Sequence, residues 1–165
     1  MHSILQIVSS LVRKKKKEAV GMQLHPSGAP DVARISIVSL LSGAEDRSVA
    51  DQVGGRNHWE VFFANGCDDA RQLSDRIKPQ IILFDRDVAG AGWRQEVSAV
   101  ATAAGGACVL LLSTVADDNL WNEVVLNGGY DVLRKPLSEP DLLRAVRLAW
   151  SYWNGIRQIP ASAKK

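Results

Sequence analysis

Two stretches of this chain carry no charged or hydroxyl side chain from end to end: Ile81-Ile82-Leu83-Phe84 and Ala107-Cys108-Val109-Leu110-Leu111-Leu112. A strand with one wet face alternates apolar and polar residues. Short unbroken apolar runs instead mark strands buried on both faces, as in a parallel sheet covered by helices on each side. Both runs stop abruptly at polar residues, Asp85 in the first and Ser113-Thr114 in the second. In open α/β sheets ligands bind at the carboxyl edge of the strands, where the strand-to-helix loops form a crevice.

The remaining segments fit this frame. Residues 34–41 read as a β-branched first strand closed by Ser42-Gly43, residues 59–64 as a second, and residues 130–135 as a fifth leading into Pro136. Helical spacing and caps predict helices over 45–53, stopped by Gly54-Gly55; over 67–77, stopped before Pro79; and over 94–104, after a Gly-rich loop at 88–93. A fourth helix follows the Asp117-Asp118 cap and ends at Gly128-Gly129. A fifth starts at an N-cap on Ser138, runs through Trp153 and ends at Gly155. Five strands alternating with five helices predict an α/β fold with a doubly wound five-stranded parallel sheet, helices on both faces. The right-handed crossover rule favours the flavodoxin-like order 2-1-3-4-5. That order places Ser39-Leu40, Asp85, Ser113-Thr114 and Lys135 along one edge.

Charge is unevenly spread. Five cations stand together in Arg13-Lys14-Lys15-Lys16-Lys17, whereas residues 31–160 hold thirteen basic and seventeen acidic side chains, a net charge of −4. A body of that sign argues against nucleic acid as a partner. Cys67 and Cys108 lie in separate elements without metal-ligand spacing and read as buried free thiols of a cytoplasmic protein. His2, His25 and His58 are scattered, and none is assigned a catalytic or metal role.

Residues 1–30 read as an N-terminal extension and linker, residues 31–157 as the folded domain and residues 158–165 as a tail. Ile4, Leu5, Ile7, Val8, Leu11 and Val12 fit one face of a short helix, too short to span a bilayer. Its charges follow the apolar part, the reverse of a secretory signal. Three readings stay open: a detached extension, a surface-associating amphipathic segment, or a true start at Met22. Pro26, Gly28 and Pro30 separate the segment from the fold in each.

An aspartate, a hydroxyl and a lysine at the ends of adjacent strands can carry an acyl phosphate. The carboxylate attacks phosphorus while the hydroxyl and ammonium stabilise charge on the equatorial oxygens. On Lys78-Pro79-Gln80-Ile81-Ile82-Leu83-Phe84-Asp85, Leu112-Ser113 and Leu133-Arg134-Lys135-Pro136, the chain resembles a receiver domain of the bacterial response-regulator family, over about residues 35–153. The resemblance implies Asp85 as phosphoacceptor, Ser113 as the hydroxyl and Lys135 as the lysine. Separations of 28 and 22 residues fit the pattern. It further implies a histidine kinase or phosphotransfer protein as partner, signalling by protein–protein interaction, and no enzyme activity. With only residues 154–165 beyond Trp153, a stand-alone module is expected.

Several positions depart from the pattern. The acidic pair that holds Mg²⁺ at the end of the first strand corresponds here to Ser39 and Leu40, so Mg²⁺ binding at Asp85 and Asp87 is expected to be weak or absent. Glu45 and Asp46 would replace that pair only if the first loop folded back. Val132 stands where the family has its switching aromatic, Thr114 replaces a small residue, and Arg86 is usually apolar. Trp150 and Trp153 have core spacing with Val146. A part-exposed Trp121 with Trp153 would instead form the face through which receivers pair with a second copy or an output partner. Two alternatives accompany the phosphorelay reading: a phosphorylation-independent pseudo-receiver, and a haloacid-dehalogenase-like phosphatase suggested by Asp85-Arg86-Asp87. The latter family needs a further acidic pair after the lysine, and beyond Pro136 Asp141 is the aspartate available for it.

Overall fold

The computed structural model describes residues 34–157, and the expectations for residues 1–33 and 158–165 lie outside them. Five parallel strands form one sheet: β1 (Ser36–Leu40), β2 (Glu60–Phe63), β3 (Ile81–Asp85), β4 (Cys108–Ser113) and β5 (Asp131–Arg134). Their order is β2-β1-β3-β4-β5, as expected. Every residue of β3 and β4 is buried, the condition that their unbroken apolar runs anticipate. The connecting helices are α1 (Ala44–Arg56), α2 (Cys67–Ile77), α3 (Trp93–Ala103), α4 (Asp118–Leu126) and α5 (Glu139–Arg157).

The two sheet faces carry separate cores. Ile37, Ile81, Leu83, Leu110 and Leu112 point to one side and pack with α1 and α5 through Ala50, Val53, Leu142, Val146 and Ala149. Val38, Leu40, Ile82, Phe84, Val109 and Leu111 point to the other and pack with α2, α3 and α4 through Ala70, Val97, Val100 and Val124. The alternation follows from the two-residue period of a strand. Trp93 closes the second core beside the site edge, with the guanidinium groups of Arg86 and Arg94 over its ring at 5.6 and 4.7 Å. Arg86 therefore covers an aromatic face.

Two helices run past the glycines at which the sequence reading ends them. Gly54 lies inside α1, which continues to Arg56, because a Cβ there would come within 2.6 Å of Val61 Cγ2 on β2. The last helix also runs on, through Gly155 to Arg157, although a Cβ at Gly155 would meet nothing within 4 Å. The loop at 88–93 is partly helical, a short turn at Arg86–Ala89 and a 3₁₀ turn at Gly90–Gly92. The capping predictions hold: the Asp117 side chain accepts from Leu120 N at 2.8 Å, and Ser138 Oγ from Asp141 N at 3.3 Å.

Two expectations for side chains are corrected. Trp121 is buried rather than part-exposed, and its Nε1 donates to Asp131 Oδ1 at 3.1 Å, since a buried indole needs an acceptor. Cys67 is half-buried rather than buried. Cys108 is buried as expected, its thiol pushed up to about 12 by desolvation. Trp150 and Trp153 stack at 5.4 Å and pack half-buried against the α1–α5 core. Among the described residues, no helix is long and apolar enough to cross a membrane.

Ser39 is fully buried in β1, and its hydroxyl has no hydrogen-bond partner among the described residues. A buried unmet hydroxyl costs free energy, so Ser39→Ala is expected to raise the unfolding free energy by about 1 kcal/mol. Urea denaturation at unchanged m-value measures the gain, and a lower midpoint would contradict it.

Candidate functional site

The last residue of β3 organises the carboxyl edge. Asp85 has no exposed surface, yet it carries a carboxylate at neutral pH, which requires donors on both oxygens. Asp85 Oδ1 accepts from Asp87 N at 3.0 Å, so the side chain caps the short helical turn that follows it. Oδ2 accepts from Ser42 N at 3.1 Å, from Ser42 Oγ at 2.5 Å and from Lys135 Nζ at 2.8 Å. Those donors come from the β1–α1 loop and from the end of β5, elements on either side of β3 in the sheet.

Lys135 does more than pair with Asp85. Its ammonium also reaches Asp87 Oδ2 at 3.0 Å and lies 3.4 Å from Ser42 Oγ. The Lys135 side chain is 13% exposed, whereas that of Asp87 is 61% exposed. The contact with Asp85 is therefore the shielded half of a bridged triad. Burial opposes the charge on Asp85. The Lys135 ammonium, the Ser42 hydroxyl and the backbone N–H groups of Asp87 and Ser42 outweigh it and hold the carboxyl below its ordinary range. Burial likewise opposes the charge on Lys135, but hydrogen bonds and attraction from Asp85 and Asp87 raise its pKa.

Register corrects the placement of the expected metal positions. Ser39 pairs with Leu83 and Leu40 with Phe84, so both lie inside the sheet, short of the edge. The residues beside Asp85 are the next two, Leu41 and Ser42. Leu41 is buried in the α1–α5 core and Ser42 is bonded to Asp85. Ser42 is the functional residue that the sequence reading passed over. Its signal was present as the polar residue closing the first strand, but the register needed to place it lies in the pairing.

Asp46 has a different part from the one considered for it. It is buried on the first turn of α1, and its Oδ1 accepts from Leu137 N at 2.8 Å. That bond ties the loop after Lys135 and the cis Lys135–Pro136 peptide to α1, which positions Lys135 over Asp85. Glu45 remains exposed at the rim of a cleft of about 440 Å³ between the Gly43–Asp46 turn, Thr114 and Pro136.

Ser113 ends β4 on the same edge, since Asp85 pairs with Leu112, one residue earlier, and Lys135 N donates to Ser113 O at 2.9 Å. The structure thus gathers Asp85, Ser113 and Lys135 in one place. The Ser113 hydroxyl accepts from Val115 N at 3.2 Å, shaping the β4–α4 loop. Asp141, the remaining acid considered, is held by Ser138 and Arg144.

The donor set does not fit Mg²⁺. That ion needs several hard oxygens in near-octahedral geometry. Leu41 offers no ligand oxygen in its side chain, Asp46 is committed to Leu137, and both oxygens of Asp85 already accept from protein donors. The ammonium of Lys135 sits between Asp85 and Asp87, where a shared cation would be held. Among the described residues, no group of three or more His, Cys, Asp or Glu side chains is placed to hold a metal.

Solved structures of known proteins share this architecture. A chemotaxis response regulator of Vibrio cholerae, CheY4, matches with a TM-score of 0.63 at 18% identity, over 70% of this chain and 98% of that one. A response regulator from Thermotoga maritima matches with a TM-score of 0.65 at 18% identity, over 72% and 98%. A CheY-like response regulator receiver domain protein from Methanospirillum hungatei matches with a TM-score of 0.67 at 13% identity, over 75% and 99%. No family model matches the sequence, and neither does any curated protein at a significant level. The class is that of flavodoxin-like doubly wound sheets. Within it, residues 34–157 have the fold of the response-regulator receiver domains.

Two consequences can be measured. Lys135→Met leaves a fully buried carboxylate without its cation and is expected to cost about 3 kcal/mol of stability near neutral pH. The deficit should shrink as pH falls, because the orphaned Asp85 then takes up a proton. In the intact protein the signs are opposite: the contribution of Asp85 is lost as pH falls through its depressed pKa, and that of Lys135 as pH rises through its raised one. Urea titrations across pH test this, and a pH-independent deficit would show that the pair carries no linkage. Asp46→Ala, which strips the acceptor from Leu137 N, should cost about 1–2 kcal/mol and speed amide exchange at Leu137.

Proposed function

We propose that this chain is a protein-interaction module on the receiver fold, its Asp85 pocket held in one state by Lys135 and Ser42 and working without Mg²⁺-dependent phosphoryl transfer. The observation that carries this reading is the Lys135 ammonium bridging Asp85 and Asp87 at 2.8 and 3.0 Å, on an edge where Leu41 and Ser42 supply no carboxylate. Phosphoryl transfer between anions needs a cation to offset their repulsion at the attacking and leaving oxygens. Here the available cation is a protein side chain that neutralises the nucleophile. Val132, packed half-buried against the α2–α4 core, supplies no aromatic ring to move between two positions and signal a changed charge at Asp85. The role is that of a binding partner and not of an enzyme.

A second reading retains Asp85 as phosphoacceptor for a histidine kinase or phosphotransfer protein. It is favoured by the convergence of Asp85, Ser113 and Lys135 and by the cleft that opens beside them. It requires Lys135 and Ser42 to release Asp85, and a metal to enter without an acidic pair.

Mg²⁺ titration monitored through the fluorescence of Trp93, with acetyl phosphate or beryllofluoride added afterwards, separates the two. The first reading expects no saturable signal at millimolar Mg²⁺ and no mass gain. A base-labile phosphate on Asp85, absent from Asp85→Asn, would overturn it in favour of the second. Ser42→Asp places a third carboxylate beside Asp85 and Asp87 and is expected to confer measurable Mg²⁺ binding on the same assay.

A further inference from the structure

β2 is one of the two outer strands of the sheet, and its far side lies open. Glu60 N donates to Ile35 O and Ala64 N to Ser39 O, both at 2.9 Å, so the even-numbered residues turn their backbone groups to β1. By the two-residue period, Val61 and Phe63 turn theirs outward. The next amides along that outer row are closed within the chain: Trp59 N donates to Gly54 O at 2.9 Å and Asn65 N to Asp69 Oδ2 at 2.8 Å. The open stretch is therefore short and symmetric about Phe62. Neither Val61 nor Phe63 has an outward backbone partner among the described residues.

Strands at the edge of a sheet ordinarily carry charges, proline or a bulge that discourage pairing with another strand. β5, the other outer strand, begins with Asp131 and ends with Arg134. β2 has no lysine, no proline and no break in its register with β1. Its one charge, Glu60, is neutralised by Arg34 at 3.0 Å, and the three residues that follow are all half-buried. Val61 and Phe63 lean on the α1–α5 core, with Gly54 close above Val61 and the Arg47 guanidinium 4.8 Å from the centre of the Phe63 ring. Phe62 leans on the other core. Three large apolar side chains thus border a row of open amides with no free charge to guard it.

We propose that β2 pairs antiparallel with β2 of a second copy about a two-fold axis through Phe62, joining the two sheets into one. In that register Val61 stands opposite Phe63 of the second copy. Each such pair exchanges both of its backbone hydrogen bonds, so every open group of the row is satisfied and none is left over. Phe62 meets Phe62 across the axis, and Val61 meets Phe63 on the α1 face, aromatic and β-branched pairs of the kind that stabilise neighbouring strands. Charge favours the same direction. Asp69, at the carboxyl end of one edge, comes level with the exposed His58 at the amino end of the other, where parallel copies would set like beside like. A longer foreign strand would run into the closed amides of Trp59 and Asn65, whereas a second copy ends its own row at the same two places. An edge contact of this length is small for a specific interface, so the dimer dissociates on dilution. It uses neither Asp85 nor Lys135.

The full chain is to be tested in three ways. Sedimentation equilibrium from micromolar to millimolar protein should show a monomer–dimer equilibrium. Val61→Pro deletes an outward N–H that the fold does not use, and it should weaken the dimer about tenfold or more while β3 and β4 amides stay protected. Exchange at the Val61 and Phe63 amides should slow at least about tenfold as concentration rises through the dimer range, whereas the Glu60 and Phe62 amides, bonded to β1, stay protected throughout. Phe62→Cys, in a Cys67→Ser background, should form an intermolecular disulfide in air, because opposed residues of this kind lie about 4.5 Å apart between Cα atoms. Glu60→Cys, displaced from the axis along both strands, should not. A protein that stays monomeric at millimolar concentration would overturn the proposal. So would a dimer that keeps its affinity in Val61→Pro while its Val61 and Phe63 amides exchange freely, because another face would then hold it. Protection at those two amides already present in the monomer would give the row to a segment of the same chain, and that too overturns pairing between copies.

Discussion

A carboxylate with no exposed surface has to be neutralised where it stands, and in this protein that requirement falls on Asp85. Its four donors come from three places in the chain: the loop after β1, the turn after β3 and the end of β5. They meet only because the sheet order sets β1 and β4 on either side of β3, with β5 one strand further on. The order and the site are thus one constraint. A slip of any of these strands by one residue would reverse its faces and carry its donor away from the edge. Asp46 serves the same end from outside the triad, since its bond to Leu137 N fixes the peptide that carries Lys135.

The same side-chain types have two uses at such an edge. A lysine and a hydroxyl turned outward can hold the oxygens of a phosphoryl group. Turned onto the carboxylate, they satisfy it and lower its affinity for anything else. Here Lys135 and Ser42 are turned inward, and Ser113 shapes its own loop. Asp85 and Asp87 share one ammonium, which occupies the place of a bound cation, and this supports the proposal of a module that signals through its surfaces rather than through chemistry at the pocket.

Much of the architecture could be read from local pattern. The unbroken apolar runs of β3 and β4 announce burial on both faces, and the caps at Asp117 and Ser138 fall where the helices begin. Glycine misled the reading at positions 54 and 155, because a helix tolerates an internal glycine at a cost of about 1 kcal/mol, and at Gly54 the missing Cβ also serves a close approach. Only the proximity of Val61 reveals the latter. Trp121 is misjudged for a related reason: its burial depends on Asp131, ten residues on, accepting its indole N–H.

The chain's own order of residues settles the parallel α/β class, the strand sequence along the sheet and the meeting of Asp85, Ser113 and Lys135, because hydrophobic period and crossover handedness are properties of consecutive residues. Register across β1 and β3 is a matter of pairing, so it took the folded molecule to replace Ser39 and Leu40 by Leu41 and Ser42 at the edge. It also took the fold to commit Asp46 to Leu137 and to seat the Lys135 ammonium between two carboxylates. Side-chain direction at a converging edge depends on neighbours that lie up to about ninety residues apart in the chain.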